Sequence, residues 1–222
     1  VIIVGFVFGI ILLQPDFGSG MILVLSIIMM LFIAEIQIKN IVIGFIVATV
    51  LVTGMILMAP YRIDRIISFL DPWKDPLGSG FQIIQSLYAI SPASLFGYGL
   101  LNSRQKYFYL PEPQNDFIFA IFCEEMGLIG AVLVLVLFAL LVLRGLKIAL
   151  KSPDKFGCML AFGLTLQIGI QVAINVAVVS NLMPNTGISL PFFSYGGTSI
   201  LMLMLQMGVV LSVSRQSRME KM

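Results

Sequence analysis

The sequence predicts an all-α fold, a polytopic transmembrane helical bundle, and three observations carry that expectation. Of 222 residues, 59% are hydrophobic and only 11% charged, with a mean hydropathy of +1.05. A soluble domain is roughly half apolar and about a quarter charged, so the charge here is too sparse to cover a water-facing surface. The apolar residues gather in six stretches, 1–13, 17–34, 38–59, 117–143, 156–182 and 198–213, most of them near the ~20 residues a bilayer crossing needs. Finally, the basic residues of the short connections all fall on one side once those stretches alternate across a membrane.

The stretches can be justified in turn. Residues 1–13 are too few to cross alone, and they carry no Met and no positive leader, so they do not read as a signal peptide; further spans are expected upstream. Gln14-Pro15-Asp16 turns the chain into 17–34, residues 35–40 turn it into 38–59, and 144–155 separate the fourth and fifth spans. Each short connection makes its neighbours antiparallel. Lys39, then Arg144, Lys147, Lys151 and Lys155, then Arg215, Arg218 and Lys221 share one side, which the positive-inside rule makes cytoplasmic. The C-terminus is therefore expected inside. The 14–16 turn, the 60–116 loop and the 183–197 connection face out. The expected organisation is a single transmembrane domain over 1–222 with one large extracytoplasmic loop at 60–116. That loop holds Arg62, Arg65, Lys74, Arg104 and Lys106, which long loops tolerate but which still call for a reason.

Within the loop, Ser79-Gly80-Phe81-Gln82 has the spacing of a capping box. Ile83, Ile84, Leu87 and Tyr88 then share a helical face, and Ser91-Pro92 should end the helix because the residue before Pro is pushed out of the α region. Such a helix either lies on the outer leaflet or packs on the protein's own outer face. Gly97-Tyr98-Gly99 reads as a turn.

Composition excludes several chemistries. There is no His, which removes imidazole as base or metal ligand, and a net charge of +2 gives no reason to expect nucleic acid. Cys123 and Cys158 lie near opposite ends of separate spans, too far apart for a disulfide, and read as buried thiols. Gly78-Ser79-Gly80 lacks the Gly-Lys-Ser/Thr of a phosphate loop. The acid–base candidates are carboxylates. Asp116 closes Pro111-Glu112-Pro113-Gln114-Asn115 and precedes the apolar Phe117-Ile118-Phe119-Ala120, a carboxylate at the outer lip of a span; a helix N-cap is the plain structural role for it. Glu124 and Glu125 lie roughly 12–13 Å deeper on the same helix. Glu124 is about 80° around from Asp116 and Glu125 is nearly opposite, so only Glu124 can line a cavity with it; both can also be interhelical hydrogen-bonding groups. The hydroxyl- and turn-rich connection after Met183, including Ser194, is expected as a re-entrant loop beside a polar cavity, or as a surface turn.

These stretches together resemble one family. QPDFGSG at 14–20, APYRIDRI and DPWKDPLGSGFQIIQS within 59–86, SRQKYFYLPEPQNDFIFAIFCEEMG at 103–127 and PFFSYGGTS at 191–199 are similar to the bacterial SEDS proteins (shape, elongation, division and sporulation: FtsW, RodA and SpoVE), with wording nearest the FtsW/SpoVE branch. The resemblance covers essentially the whole chain and aligns it with the C-terminal six of about ten spans. It implies a peptidoglycan glycosyltransferase of the bacterial plasma membrane that polymerises lipid II with a class B penicillin-binding protein as partner transpeptidase. It carries the family's essential aspartate onto Asp116, as general base on the acceptor hydroxyl. Arg104 and Lys106 become candidates to neutralise the leaving diphosphate, with a divalent cation, Mg²⁺ or Mn²⁺, as the candidate cofactor. Glu112 is a candidate to orient a cation or sugar, and Glu124 and Ser194 complete the expected substrate contacts. A lipid II transporter with Glu124 on its path, or a non-enzymatic scaffold for the transpeptidase, are the alternatives. The chain departs from the family pattern at 90–94, where Gly is usual, and at Asn115, Asn181 and Asn185.

Overall fold

A computed structural model of the chain describes residues 17–34, 36–37, 39, 42–46, 49, 60–91, 94–105 and 114–219, with 17, 60–64 and 217–219 given by backbone alone. Every regular element among them is helical: α1 (Phe17–Ile33), α2 (Pro60–Leu70), a 3₁₀ turn (Pro72–Lys74), α3 (Phe81–Ile90), α4 (Ile118–Leu150), α5 (Lys155–Val179) and α6 (Gly197–Met219). Three helices, Ile118–Leu150, Lys155–Val179 and Gly197–Gln216, are long and apolar enough to cross a membrane. The expected spans 1–13 and, but for 39, 42–46 and 49, 38–59 lie outside the described residues, as does the Gln14-Pro15-Asp16 turn. The chain separates into two compact units, one of Val1–Phe45, Leu137–Val172 and Gly196–Met222, the other of Ile46–Val136 and Ala173–Tyr195.

In the first unit, small residues let helices approach closely, the usual device where apolar contact alone cannot favour helix pairing over lipid. A Cβ added to Gly145 of α4 would strike Thr165 of α5, and one on Gly169 would come 3.2 Å from Val142. Gly163 of α5 takes the Met30 side chain of α1 in the same way. Ala149, Ala161 and Val213 close a small core where α4, α5 and α6 meet. The α4–α5 connection is short and capped: Asp154 accepts the Gly157 N–H on its side chain at 2.7 Å, and its carbonyl accepts the Cys158 N–H. This is the N-cap geometry that satisfies orphaned amides of a first turn. α4 runs on to Leu150, beyond the expected end near residue 143. Arg144 and Lys147 are tolerated because long basic chains can reach away from an apolar helix while its backbone continues.

In the second unit, α5 ends in a Schellman motif. Asn181 is left-handed at φ +54°, its N–H donates to the Val178 carbonyl, and the Leu182 N–H donates to Ala177 at 2.7 Å. That accounts for Asn at this position, since Asn tolerates the left-handed region better than most side chains. α3 forms where the sequence places it, but its N-cap is Gly80 with no side-chain bond. The capping box is not made. Asp75 instead draws in the Gly78 and Ser79 amides and the Ser79 hydroxyl, while Gln82 accepts from Asn185. α3 packs against its own protein: Ile83, Ile84 and Ala89 are buried, and the buried Ser86 hydroxyl donates to the Val179 carbonyl at 2.8 Å.

Candidate functional site

α4 is interrupted at Gly127, whose φ of +66° and ψ of −168° are not helical. In an unbroken helix the Leu128 and Ile129 amides would donate to the Glu124 and Glu125 carbonyls. Here the segment 94–99 enters the gap and supplies a partner for all four groups. Leu128 N–H donates to Ser94, Ile129 N–H to Leu95, while Tyr98 N–H donates to Glu124 and Gly99 N–H to Glu125, at 2.9–3.2 Å. Such complete pairing is what backbone groups within a span require. Close approach dictates the glycines: a Cβ on Gly97 would strike the Glu125 carbonyl, and one on Gly127 would strike the Gly97 nitrogen. Gly97 and Gly99 have φ of +68° and +91°, so the turn expected at Gly97-Tyr98-Gly99 is present, with a task the sequence did not announce.

Glu124 is 2% exposed and turns toward the same loop. Its side chain accepts the Ser103 hydroxyl at 2.5 Å and the Arg104 and Gln105 amides at 3.1 and 3.4 Å. Both oxygens are thus committed to holding 103–105, the structural alternative for this residue and not the cavity-lining one. Glu125 is also buried, and its Oε1 has no hydrogen-bond partner among the described residues. Arg104 is exposed, with its guanidinium carbon 5.2 Å from the Tyr98 ring centroid, a cation–π arrangement. The held backbone therefore presents a fixed cation at the surface.

Asp116 lies in the turn 114–117, two residues ahead of α4. The Phe117 carbonyl accepts the Ala120 N–H, the first turn's bond, so the N-cap position belongs to Phe117, not to Asp116 as expected. Two side chains from elsewhere grip the turn. Asn175 of α5, fully buried, donates from Nδ2 to the Asp116 carbonyl at 2.8 Å and to the Ile188 carbonyl at 2.7 Å. Ser194 donates to the Asn115 carbonyl at 2.6 Å and accepts the Leu190 N–H at 2.7 Å, and the Tyr195 N–H donates to Gln114. The connection after Met183 is hence fastened along the turn that carries Asp116, with Thr186, Ile188, Leu190 and Ser194 buried. Leu182 just before the connection and Phe192, Phe193 and Tyr195 within it are exposed. Ser194 itself is a buried clamp.

The carboxylate meets the same loop. A Cβ on Gly187, left-handed at φ +71°, would lie 3.6 Å from Asp116 Oδ2, so the Gly187 segment runs near the half-buried acid. Asn185 orients this stretch: its Oδ1 accepts the Gly187 N–H, its Nδ2 donates to Gln82, and its carbonyl accepts from Arg65 at 3.1 Å. Arg65 is therefore bound to the loop, and α2, α3 and the connection converge on Asn185. Lys106 and Glu112, the other two candidates, lie outside the described residues. Among the described residues no group of three or more His, Cys, Asp or Glu is set to hold a metal ion.

Sequence reasoning missed Asn175, Gly187 and Gly127. Asn175 did carry a signal, an amide within an apolar span alongside Gln167 and Gln171, of the kind that usually finds a partner.

The comparisons with known proteins agree with one another. A family model described as cell cycle protein, FtsW/RodA/SpoVE, matches residues 1–219. The chain is 54% identical over 211 residues to stage V sporulation protein E of Bacillus subtilis, covering 95% of this chain and 58% of that protein. It is 41% identical over 223 residues to a probable peptidoglycan glycosyltransferase FtsW of Coxiella burnetii, covering 97% and 59%. Among solved structures, a chain of a peptidoglycan synthase complex aligns with a TM-score of 0.75 at 32% identity, over 95% of this chain and 59% of that one. The rod shape determining protein RodA of Thermus thermophilus aligns with a TM-score of 0.62 at 27% identity, over 95% and 53%. The chain spans a little over half the length of these relatives.

Proposed function

Because the chain belongs to the FtsW/RodA/SpoVE family of cell cycle proteins, a family of multi-pass membrane proteins, we propose that the protein it comes from is a peptidoglycan glycosyltransferase. Its substrate is lipid II, its site opens at the outer face of the bacterial plasma membrane, and its partner is a class B penicillin-binding protein. The eight basic residues of the short connections and tail support an inward C-terminus.

In the reaction, a sugar hydroxyl of one lipid-linked disaccharide attacks the anomeric carbon of a glycan carrying a lipid diphosphate. The new C–O bond forms as the bond to the diphosphate breaks, and the hydroxyl proton passes to Asp116. A positioned general base of this kind contributes about 10²–10⁴ in rate. The observation that carries the reading is the grip on Asp116: its backbone is held by Asn175, and its carboxylate lies near Gly187 at the head of an apolar helix. A base fixed by its own backbone, with little to reorganise, suits proton abstraction. Arg104 is the described candidate to meet the departing diphosphate charge, with Lys106 as its neighbour in sequence, Glu112 as an orienting group, and a divalent cation arriving with the diphosphate, as Mg²⁺ commonly does. The transporter alternative relied on Glu124, whose oxygens are already taken.

Purified full-length protein with its transpeptidase and labelled lipid II tests the proposal. Glycan polymer that resists transpeptidase inhibition supports it. Movement of lipid between leaflets with no polymer refutes it.

A further inference from the structure

Neither backbone angle nor close packing accounts for the glycine at position 187. Its φ of +71° lies in the left-handed region, where glycine is the default. Yet Asn181 at +54° and Phe192 at +66° hold side chains in that region, Phe192 within the same connection. Packing does not exclude a side chain either. A Cβ on Gly97 or Gly127 would strike a neighbouring backbone atom. A Cβ on Gly187 would meet, among the described residues beyond its chain neighbours, one atom within 4 Å: Asp116 Oδ2 at 3.6 Å, an ordinary van der Waals distance. The effect of a side chain at 187 is therefore to cover one flank of that carboxylate.

Gly187 and Asp116 are fixed relative to each other from both sides. Ahead of the glycine, Asn185 Oδ1 accepts the Gly187 N–H at 3.1 Å, and Asn185 is itself bound to Gln82 at 2.9 Å and to Arg65 at 3.1 Å. Behind it, the Asn175 side chain donates to the carbonyls of both Ile188 and Asp116. One amide thus ties the residue after Gly187 to the acid itself. Thr186 and Ile188 are buried on either side of the exposed glycine, so the backbone is anchored there while a side chain at 187 has no core to enter.

A carboxylate that takes a proton needs the donor hydroxyl within about 2.6–3.2 Å of one oxygen. A methyl or larger group beside Oδ2 occupies volume that such a hydroxyl, with the sugar carbon that bears it, must enter. Glycine leaves that volume to the incoming group.

We propose that Gly187 is a specificity-determining residue whose missing side chain forms the notch through which the acceptor sugar hydroxyl reaches Asp116 Oδ2. The inference rests on the reading of Asp116 as the base and adds the side from which its substrate arrives. The notch belongs to the acceptor and not to the lipid diphosphate, because a group set against a carboxylate oxygen has to donate a hydrogen bond and carry no negative charge.

Full-length protein with its transpeptidase tests the notch, given a labelled glycan–lipid diphosphate at saturation as donor and lipid II at varied concentration as acceptor. Gly187→Ala, Gly187→Asn and Gly187→Leu are compared with wild type. A left-handed backbone suits Asn better than Ala, whereas Asn is the bulkier, so conformation and bulk predict opposite orders. The notch requires kcat/KM for the acceptor to fall from wild type to Gly187→Ala to Gly187→Asn, and by about 10² in Gly187→Leu, with retention of the donor unchanged. Gly187→Asn as active as Gly187→Ala, or more so, overturns the proposal and assigns the glycine to backbone conformation; so does Gly187→Leu at the wild-type rate. The comparison of Ala with Asn decides even where Gly187→Leu fails to fold. Asp116→Asn in the same assay separates the two readings. If it is inactive while the Gly187 series ignores size, the notch fails and the base stands; if it extends glycan at the wild-type rate, both fail.

Discussion

Replacing Asn175 by Leu, a side chain of similar volume, removes a buried donor and leaves two carbonyls, those of Asp116 and Ile188, without the amide NH₂ that serves both at 2.8 and 2.7 Å. An orphaned buried acceptor costs about 1–3 kcal/mol. Ile188 is buried and incurs the full cost, while the half-buried Asp116 can recruit water, which puts the sum at about 3 kcal/mol. If that loss is felt as displacement of the base and not as unfolding, it corresponds to about 10² in rate, the scale expected when a reacting group shifts by ~1 Å. Polymerisation of labelled lipid II by Asn175→Leu should show kcat reduced by about that factor with KM little changed. The decisive comparison is with Asp116→Asn. A residue that acts through Asp116 adds nothing once the base is gone, so the double variant should be no slower than Asp116→Asn alone. Independent, multiplicative losses would refute the positioning argument, as would Asn175→Leu at the wild-type rate.

Further expectations concern the kink and the cation. Gly97→Ala and Gly127→Ala each put a Cβ into a neighbouring backbone atom at a positive φ, so each should destabilise by more than ~2 kcal/mol in thermal melts of the detergent-purified protein; Gly197→Ala, with nothing within 4 Å of its Cβ, is the benign control. Glu124→Gln exchanges one of two acceptor oxygens for a donor facing N–H groups. Hydrogen exchange at Arg104 and Gln105 should accelerate by about tenfold or more, in line with ~1–3 kcal/mol for a lost buried pairing; unchanged protection there would show that Glu124 does not hold the loop. Arg104→Ala, at an exposed residue stacked on Tyr98, should weaken lipid II use about tenfold, within the range for one charged contact, and Arg104→Lys should recover only part of it because an ammonium lacks the planar fork. Equal activity of all three proteins would remove Arg104 from the substrate contacts.

Much of this was legible in the sequence because it depends on local patterns. Apolar runs and turn formers located α1, α4, α5 and α6, and the Phe81–Ile90 helix followed from its own periodicity and the Pro after Ser91. Asp116 stood out as a carboxylate at the head of a span. What escaped depends on contacts between distant segments. The pairing of 94–99 with 124–129 runs through backbone atoms, and its only trace is glycine at 97, 99 and 127. Placing Glu124 from an ideal helical wheel assumed that its side of α4 faces a cavity; the loop that occupies that space lies about twenty residues upstream. The cap expectation for Asp116 failed by a single position, because the turn at 114–117 is fastened from outside by Ser194 and Tyr195 and passes the first helical bond to Phe117. Asn185, a departure from the family pattern, turned out to tie Arg65, Gln82 and Gly187 together, which no local rule would suggest.

The claim on which the account depends most is that Asp116 removes the acceptor proton. Its most direct measurement is the single-turnover rate of glycan extension by full-length Asp116→Asn with its transpeptidase, at saturating lipid II, beside Asp116→Glu. The amide keeps the shape but cannot take the proton, so the rate should fall by about 10²–10⁴ while lipid II still binds; the glutamate should retain a measurable part of the rate. Extension by Asp116→Asn at the wild-type rate would contradict the assignment and leave the grip of Asn175 and Ser194 as a purely structural feature.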